Sequence, residues 1–263
     1  MSGTRYLKIT KVKKGNEKMS KSYEALKSEF KRIEQMGWVE SSRSGDTGIG
    51  KTFEDLLDKI EDNLALPDFD DIEIKTQRQA TSSMITLFTK SPDFPRKVNT
   101  LLREEYGSDS PQYDGMKILH TTIKSTGFNT HIGGYEFKID VDQDLQRLVL
   151  VVRDSTSKNI VAENIYWAFQ KIENALEKKL KFIAYVTADE KKENAKTYFK
   201  FNNIRLLTGL TLGRFLQALQ DGYIMVDIRI GVYNTGKNKG KTHDHGTGFR
   251  IKLEHLMNYA EIV

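Results

Sequence analysis

From Ile72 to Thr76 the chain alternates without a break, with Ile72, Ile74 and Thr76 on one side and Glu73 and Lys75 on the other. A period of two marks a half-buried strand, so one face must meet a core while the other holds a carboxylate beside an ammonium. The segments around it limit what that core can be. Tyr23, Leu26, Phe30 and Ile33 recur at three- and four-residue steps, which predicts an amphipathic helix from about Ser22 to Met36, ended by Gly37. Ser41 to Gly50 reads as a loop, after which Thr52 with Asp55 resembles a capping box opening a helix through Phe53, Leu56, Leu57 and Ile60.

Further strands are predicted at Met84–Thr89, Ile118–Ile123, Tyr135–Val141, Leu148–Val152 and Phe182–Val186, with a short helix near Thr100–Tyr106. Ile165, Phe169, Ile172 and Leu176 mark a second amphipathic helix, and Leu212–Leu219 a third. Ile224–Val232 and Gly248–Leu253 read as paired strands joined by a loop rich in Gly and Lys that also carries His. Helices crossing between strands define an α/β chain of α+β character with a mixed sheet. At 263 residues it is long enough for one large domain or two modest lobes.

Composition removes whole classes of function. With 38% hydrophobic and 29% charged residues and 4 Pro, the chain is globular rather than disordered or fibrous. The absence of Cys excludes a disulfide scaffold, a Cys nucleophile and thiolate zinc sites, and suits a reducing compartment such as the cytoplasm. The most apolar run, Leu148 to Val152, is closed by Arg147 and Arg153, far short of the roughly 18 residues a membrane span needs. The basic first 21 residues have no apolar stretch after them and do not read as a secretory signal.

Charge is uneven along the chain. Residues 53 to 73 hold nine acids against Lys59 alone, whereas residues 227 to 252 hold six Lys and Arg against Asp227 and Asp244. Carboxylates that hold a divalent metal beside cations that hold a polyphosphate backbone would have this distribution, as would two ordinary solvated faces.

Within the acidic stretch, Asp68, Glu73 and Lys75 form Asp-x4-Glu-x-Lys, the PD-ExK nuclease pattern. Asp68 and Glu73 are hard oxygen ligands for Mg²⁺, and the carbonyl of Ile74 can add a third. Lys75, on the face of Glu73, can orient a water and offset phosphate charge. The same letters also describe a surface strand with an ion pair. Gly45 to Thr52 reads GDTGIGKT and fits the phosphate-binding loop formula G-x-x-x-x-G-K-[ST], which would make the chain a P-loop NTPase. An apolar strand should run into such a loop, yet Trp38 to Ser44 is polar except for Trp38 and Val39. The preferred reading is a Gly-rich turn whose amides and Lys51 approach a DNA phosphate. His243-Asp244-His245 lacks the partners of a structural zinc site. With Asp227, Arg229 and Arg250 it suits base readout, since Arg pairs with guanine and Asp with cytosine. A polar loop held by its own hydrogen bonds is the plainer alternative.

Taken together, GDTGIGKTFEDLL, DNLALPDFDDIEIKT, TLFTKSP, VDIRIGVY and GKTHDHGTGFRI resemble the MvaI/BcnI family of type II restriction endonucleases, from about Trp38 to near the C-terminus. The resemblance implies a PD-(D/E)xK restriction-endonuclease-like core related to the repair nickase MutH, with a second DNA-recognition lobe. It implies Mg²⁺-dependent, site-specific hydrolysis of double-stranded DNA by a monomer that cuts one strand at a time. Glu54, Asp68, Glu73 and Lys75 match the family's catalytic residues. Its recognition hairpin matches a segment containing Asp227, Arg229, Tyr233, Lys241, His243, Asp244, His245 and Arg250. The implied site is CCWGG, with a central S in place of W as fallback, and the implied partner is a cognate DNA methyltransferase. The catalytic lobe is expected over residues 1–190 and the recognition lobe over 191–263. A MutH-like nicking enzyme, a DNA-binding module without catalysis and the P-loop NTPase are the competing expectations.

Overall fold

Leu26, Phe30 and Ile33 can all be buried at once only on one face of a helix, and they are fully or almost fully buried on α1, residues 21–35. The computed structural model describes residues 21–61, 72–79, 83–112 and 114–263, and only the backbone of 58–61. After α1 come β1 (Val39–Glu40), α2 (Gly48–Glu61), β2 (Glu73–Arg78), β3 (Ile85–Thr89), α3 (Val98–Tyr106), β4 (Ser108–Asp109) and β5 (Lys117–Ile123). A three-strand run of β6 (Tyr135–Asp142), β7 (Arg147–Asp154) and β8 (Ile160–Ala168) leads to α4 (Phe169–Lys179). The remainder is β9 (Phe182–Glu193), β10 (Lys196–Thr208), α5 (Leu212–Gln220), β11 (Met225–Val232), β12 (Thr242–Asp244), β13 (Gly248–Ile251), α6 (Leu253–Leu256) and β14 (Glu261–Ile262).

These elements form two compact units, and neither is contiguous in sequence. The first takes the described residues as far as Ser83 together with Lys179–Gly209 and Ala260–Val263; the second takes the described residues of Met84–Lys178 and Leu210–Tyr259. Two consecutive blocks meeting at 190/191 therefore do not describe the division. The β9–β10 hairpin, straddling that expected boundary, lies wholly in the first unit, because its twelve paired positions from Lys196↔Glu193 to Thr208↔Phe182 cannot be separated without breaking the ladder.

The first unit is a mixed sheet in the order β1-β10-β9-β2, with β14 also on β10. β2 runs parallel to β9, Glu73 opposite Ile183 and Lys75 opposite Tyr185, and among the described residues it is the last strand on its side of the sheet. Alternation decides its two faces. Ile74 joins α1, α2, Ala184, Val186, Phe199 and Phe201 in one core, where Phe53 and Phe201 have ring centroids 5.0 Å apart. Glu73, Lys75 and Gln77 take the opposite face.

The second unit contains a six-stranded sheet in the order β3-β13-β11-β5-β4, with β12 also on β11, and the three-stranded sheet β6-β7-β8. Val226, Ile228 and Ile230 of β11 are fully buried. Trp167, Phe88, Phe215 and Phe249 pack in one aromatic cluster, and the Trp167 indole donates to the carbonyl of Lys90 at 2.8 Å.

Two local readings are corrected. Ile165 does not start the second amphipathic helix: it lies on β8, paired with Leu150, and the helix begins only at Phe169. A lone Ile four residues before Phe169 fits a helical step as well as a strand, and pairing with β7 decided the matter. Thr52 does not cap its helix either. α2 starts at Gly48, and the buried Thr52 hydroxyl donates to the Gly48 carbonyl at 2.7 Å while accepting from the Ser42 amide at 2.9 Å. No helix among the described residues is long and apolar enough to cross a membrane.

Candidate active site

Strand β2 sets out its charges as the alternation requires. Lys75 Nζ stands 2.6 Å from Glu73 Oε1 on the face turned away from the helices, and both groups keep access to water. Gln77, next on that face, accepts from the Tyr185 hydroxyl and donates to the Ser83 carbonyl at 2.6 Å. Burial pushes the Tyr185 phenol up to about 12, against the opposing charge of Arg205, so at neutral pH it is a permanent donor. Neither Gln77 nor Tyr185 stands out in the sequence; only the register Lys75↔Tyr185 shows that the two shore up the strand beside the charged pair.

Glu54 is exposed on α2, whose apolar side packs on the sheet through Phe53 and Leu57, and no hydrogen bond or ion pair joins it to Glu73 or Lys75. Asp68, together with Asp70 and Asp71 of the acidic stretch, lies outside the described residues. Among the described residues no group of three or more His, Asp or Glu side chains is arranged to hold a metal ion. The donor chemistry nevertheless suits a hard cation: a water-accessible carboxylate on β2 already takes a cationic partner, and Ile74 brings a carbonyl between Glu73 and Lys75.

The phosphate-loop string folds differently from its formula. Its lead-in strand β1 has two residues, Lys51 pairs with Asp55 at 2.6 Å along the helix, and the Thr52 hydroxyl is spent on Ser42 and Gly48. Arg78 holds the turn by donating to the carbonyls of Gly45 and Asp46 while it pairs with Glu190.

In the second unit a different face gathers the basic segment. Asp227 of β11 has a side chain only 8% exposed and receives the guanidiniums of Arg229 and of Arg250, the latter at 2.8 Å, and the Thr122 hydroxyl at 2.8 Å. Burial alone would raise its carboxyl, but the Thr122 and Arg250 hydrogen bonds and the Arg229 charge outweigh this and hold it below the usual range. Asp227 thus aligns two arginines on one face of the sheet. Tyr233 stacks on His243 with centroids 4.1 Å apart, and His243 lies 4.0 Å from His245. Burial, then the neighbouring His243 and His120, lower the pKa of His245, which is neutral at pH 7. Asp244 accepts from Ser91, Asn99 and the Gly246 amide, so its carboxylate secures the turn between β12 and β13. Lys241 donates to Asn238 at 3.2 Å in the preceding loop. His120 and Thr122, absent from the expectations above, reach this face because β5 pairs with β11 at Arg229↔His120 and Asp227↔Thr122.

One unit thus carries a carboxylate–lysine pair on a strand, and the other a face bearing two arginines. A family model described as the MvaI/BcnI restriction endonuclease family matches residues 27–258. The chain is similar to the solved structure titled "Restriction endonuclease MvaI-cognate DNA substrate complex", with 48% identity and a TM-score of 0.80, covering 90% of this chain and 96% of that one. It is also similar to "Restriction endonuclease MvaI in the absence of DNA", with 47% identity, a TM-score of 0.65, and coverage of 93% and 98%. A comparison with curated proteins returns no match. The chain belongs to the MvaI/BcnI restriction endonuclease family and is a type II site-specific deoxyribonuclease.

Proposed function

We propose that the protein hydrolyses double-stranded DNA at CCWGG with Mg²⁺, acting as a monomer on one strand at a time. The single observation that carries the catalytic part is the Glu73–Lys75 pair at 2.6 Å on the open face of β2. Glu73, with Asp68 and the carbonyl of Ile74, would hold the Mg²⁺, which would supply a Lewis acid for a water and for the charge at the scissile phosphate. Lys75 orients the attacking water and adds a fixed positive charge where negative charge develops. Glu54 supplies a further carboxylate from α2, and Lys51 a cation for the backbone. Arg229 and Arg250 read guanine, held by Asp227, while Tyr233, Lys241, His243 and His245 extend the contact and Asp244 fixes their turn. Cleavage of this kind in a cell calls for a methyltransferase acting on the same site, and for the cytoplasm, where the DNA is.

The test is digestion of a sequenced supercoiled plasmid with and without Mg²⁺, followed by mapping of the ends. Open circles that convert to linear DNA, with 5′-phosphate ends inside CCWGG, are expected. Plasmid left intact with Mg²⁺ present would overturn the proposal, ends inside CCSGG would reassign the central pair, and linear DNA with no open circle at any dose would remove the monomer.

Lys237 and Lys239 stand exposed on the loop between β11 and β12, in a turn closed by the Lys239 amide on the Gly236 carbonyl. If they hold phosphates, replacing both with Gln flattens the plot of log K against log salt by about 2, since each phosphate contact contributes roughly 0.9 to the slope. Binding titrations at four salt concentrations give that slope, and an unchanged value removes both lysines from the backbone contact.

A further inference from the structure

Ile132 is 89% exposed, and no other large hydrophobic side chain among the described residues exceeds 62%. Leaving an isoleucine in water forgoes the benefit of burying it, which disordered loops tolerate easily because they cannot bury it anyway. This loop is held from several sides. Asn129 donates to Thr121 Oγ1 at 2.6 Å and to the Thr122 carbonyl at 2.9 Å, and its own carbonyl oxygen accepts from the Phe137 amide at 2.8 Å. The Gly133 amide donates to His131 Nδ1 at 3.1 Å, the His131 ring meets Phe137 edge-on at 5.6 Å, and the Ser155 amide holds the Gly134 carbonyl at 2.9 Å. The loop is also closely packed at Gly133, where a Cβ would stand 3.0 Å from the His131 ring and 3.2 Å from the Tyr106 carbonyl oxygen. The chain therefore fixes the backbone on both sides of Ile132 and gives its side chain nothing to pack on.

The place of that side chain indicates its partner. A cavity of about 440 Å³ is lined by Asn129, His131 and Ile132 from the loop and by His120 and Thr122 from β5. Thr122 bonds Asp227, and His120 stands opposite Arg229 and 6.4 Å from His245. The loop is thus continuous with the face that carries the two arginines. We propose that Ile132 is a DNA-contacting residue, carried by this rigid loop onto the duplex beside the arginine face, where it makes an apolar contact with a base edge or sugar. The proposal rests on the DNA-reading role given above to that face. It explains why an ordered loop keeps an isoleucine in water: the side chain is buried only in the complex.

The test compares wild type, I132S and I132V for binding to a duplex carrying the cleaved site, without divalent metal and at several salt concentrations. Because the Ile132 side chain is exposed, neither variant should change the thermal unfolding temperature. I132S is expected to bind roughly 10-fold more weakly, equivalent to about 1.4 kcal/mol, and I132V within about twofold of wild type. The salt slope should not move, since an apolar contact releases no counterions. I132S binding like wild type would overturn the proposal, and so would a loss accompanied by a shallower slope, which would assign the effect to phosphate contacts. A wild-type enzyme that cuts no duplex removes the DNA reading itself, and this inference with it.

Discussion

Lys75→Ala is expected to lower the single-turnover rate of DNA cleavage by on the order of 10²-fold or more and to leave DNA binding nearly unchanged. The ammonium stands on the same strand face as Glu73, so it lies where negative charge would develop on the phosphate, and loss of one such contact typically costs that much. The fold should scarcely notice. The parallel ladder to β9 is made by backbone, the Tyr185–Gln77 bond does not involve Lys75, and a partly exposed ion pair contributes about 1 kcal/mol or less. Lys75→Arg should not restore the rate, because a planar guanidinium does not put its charge where a compact ammonium does. Cleavage equal to wild type in the alanine variant would take Lys75 out of the mechanism. A parallel collapse of binding would instead make it a DNA anchor.

Asp227→Ala is expected to cost about 3 kcal/mol of stability and to abolish specific binding. Its carboxylate collects Arg229, Arg250 and Thr122 while almost wholly buried, and removing one member of a buried ionic group strands the others. Arg229 is half exposed and can turn to water, which keeps the cost toward the lower end of the range for buried pairs. Its pH dependence has a definite sign. The folded-state pKa of Asp227 lies below that of an ordinary carboxylate, so its contribution is complete above the usual carboxylate range and disappears as pH falls through the folded value. Urea unfolding midpoints of wild type and variant should therefore differ at pH 7 and converge in acid. A constant difference across that range would mean that the effect is one of packing rather than charge.

Most elements announced themselves by periodicity. β2, β5, β6, α5 and β11 each carry an alternating or helical pattern long enough to exceed noise, β7 stands out as a short continuous apolar run, and the structure places all six within a few residues of expectation. β10 escaped because Lys196 to Thr208 mixes Asn, Lys and Arg with its apolar residues, and a bulge between Phe201 and Asn203 breaks the alternation halfway. β8 escaped because its first half is exposed and its apolar residues fall at a helix-like step before Phe169. The Walker-like string fits its formula without being a P-loop for another reason. Gly, Lys and Thr at that spacing also suit a tight turn opening a helix, and the formula does not record that the Thr hydroxyl is used inside the turn.

By itself the sequence determined which residues share a face along one strand, because alternation is a local geometric fact: Glu73 with Lys75, and Asp227 with Arg229. It determined the family as well, since five separated motifs together are far more specific than Asp-x4-Glu-x-Lys alone. Only the tertiary structure decided which strands lie side by side. It put Tyr185 beside Lys75 and within reach of Gln77, Thr122 and His120 beside Asp227 and Arg229, and Ile132 at the rim of the same face. It also decided that the two units are woven from separate stretches of chain. Pairing partners such as Asp227 and Thr122 lie 105 residues apart, and strand register is set by the burial of whole faces rather than by any local pattern.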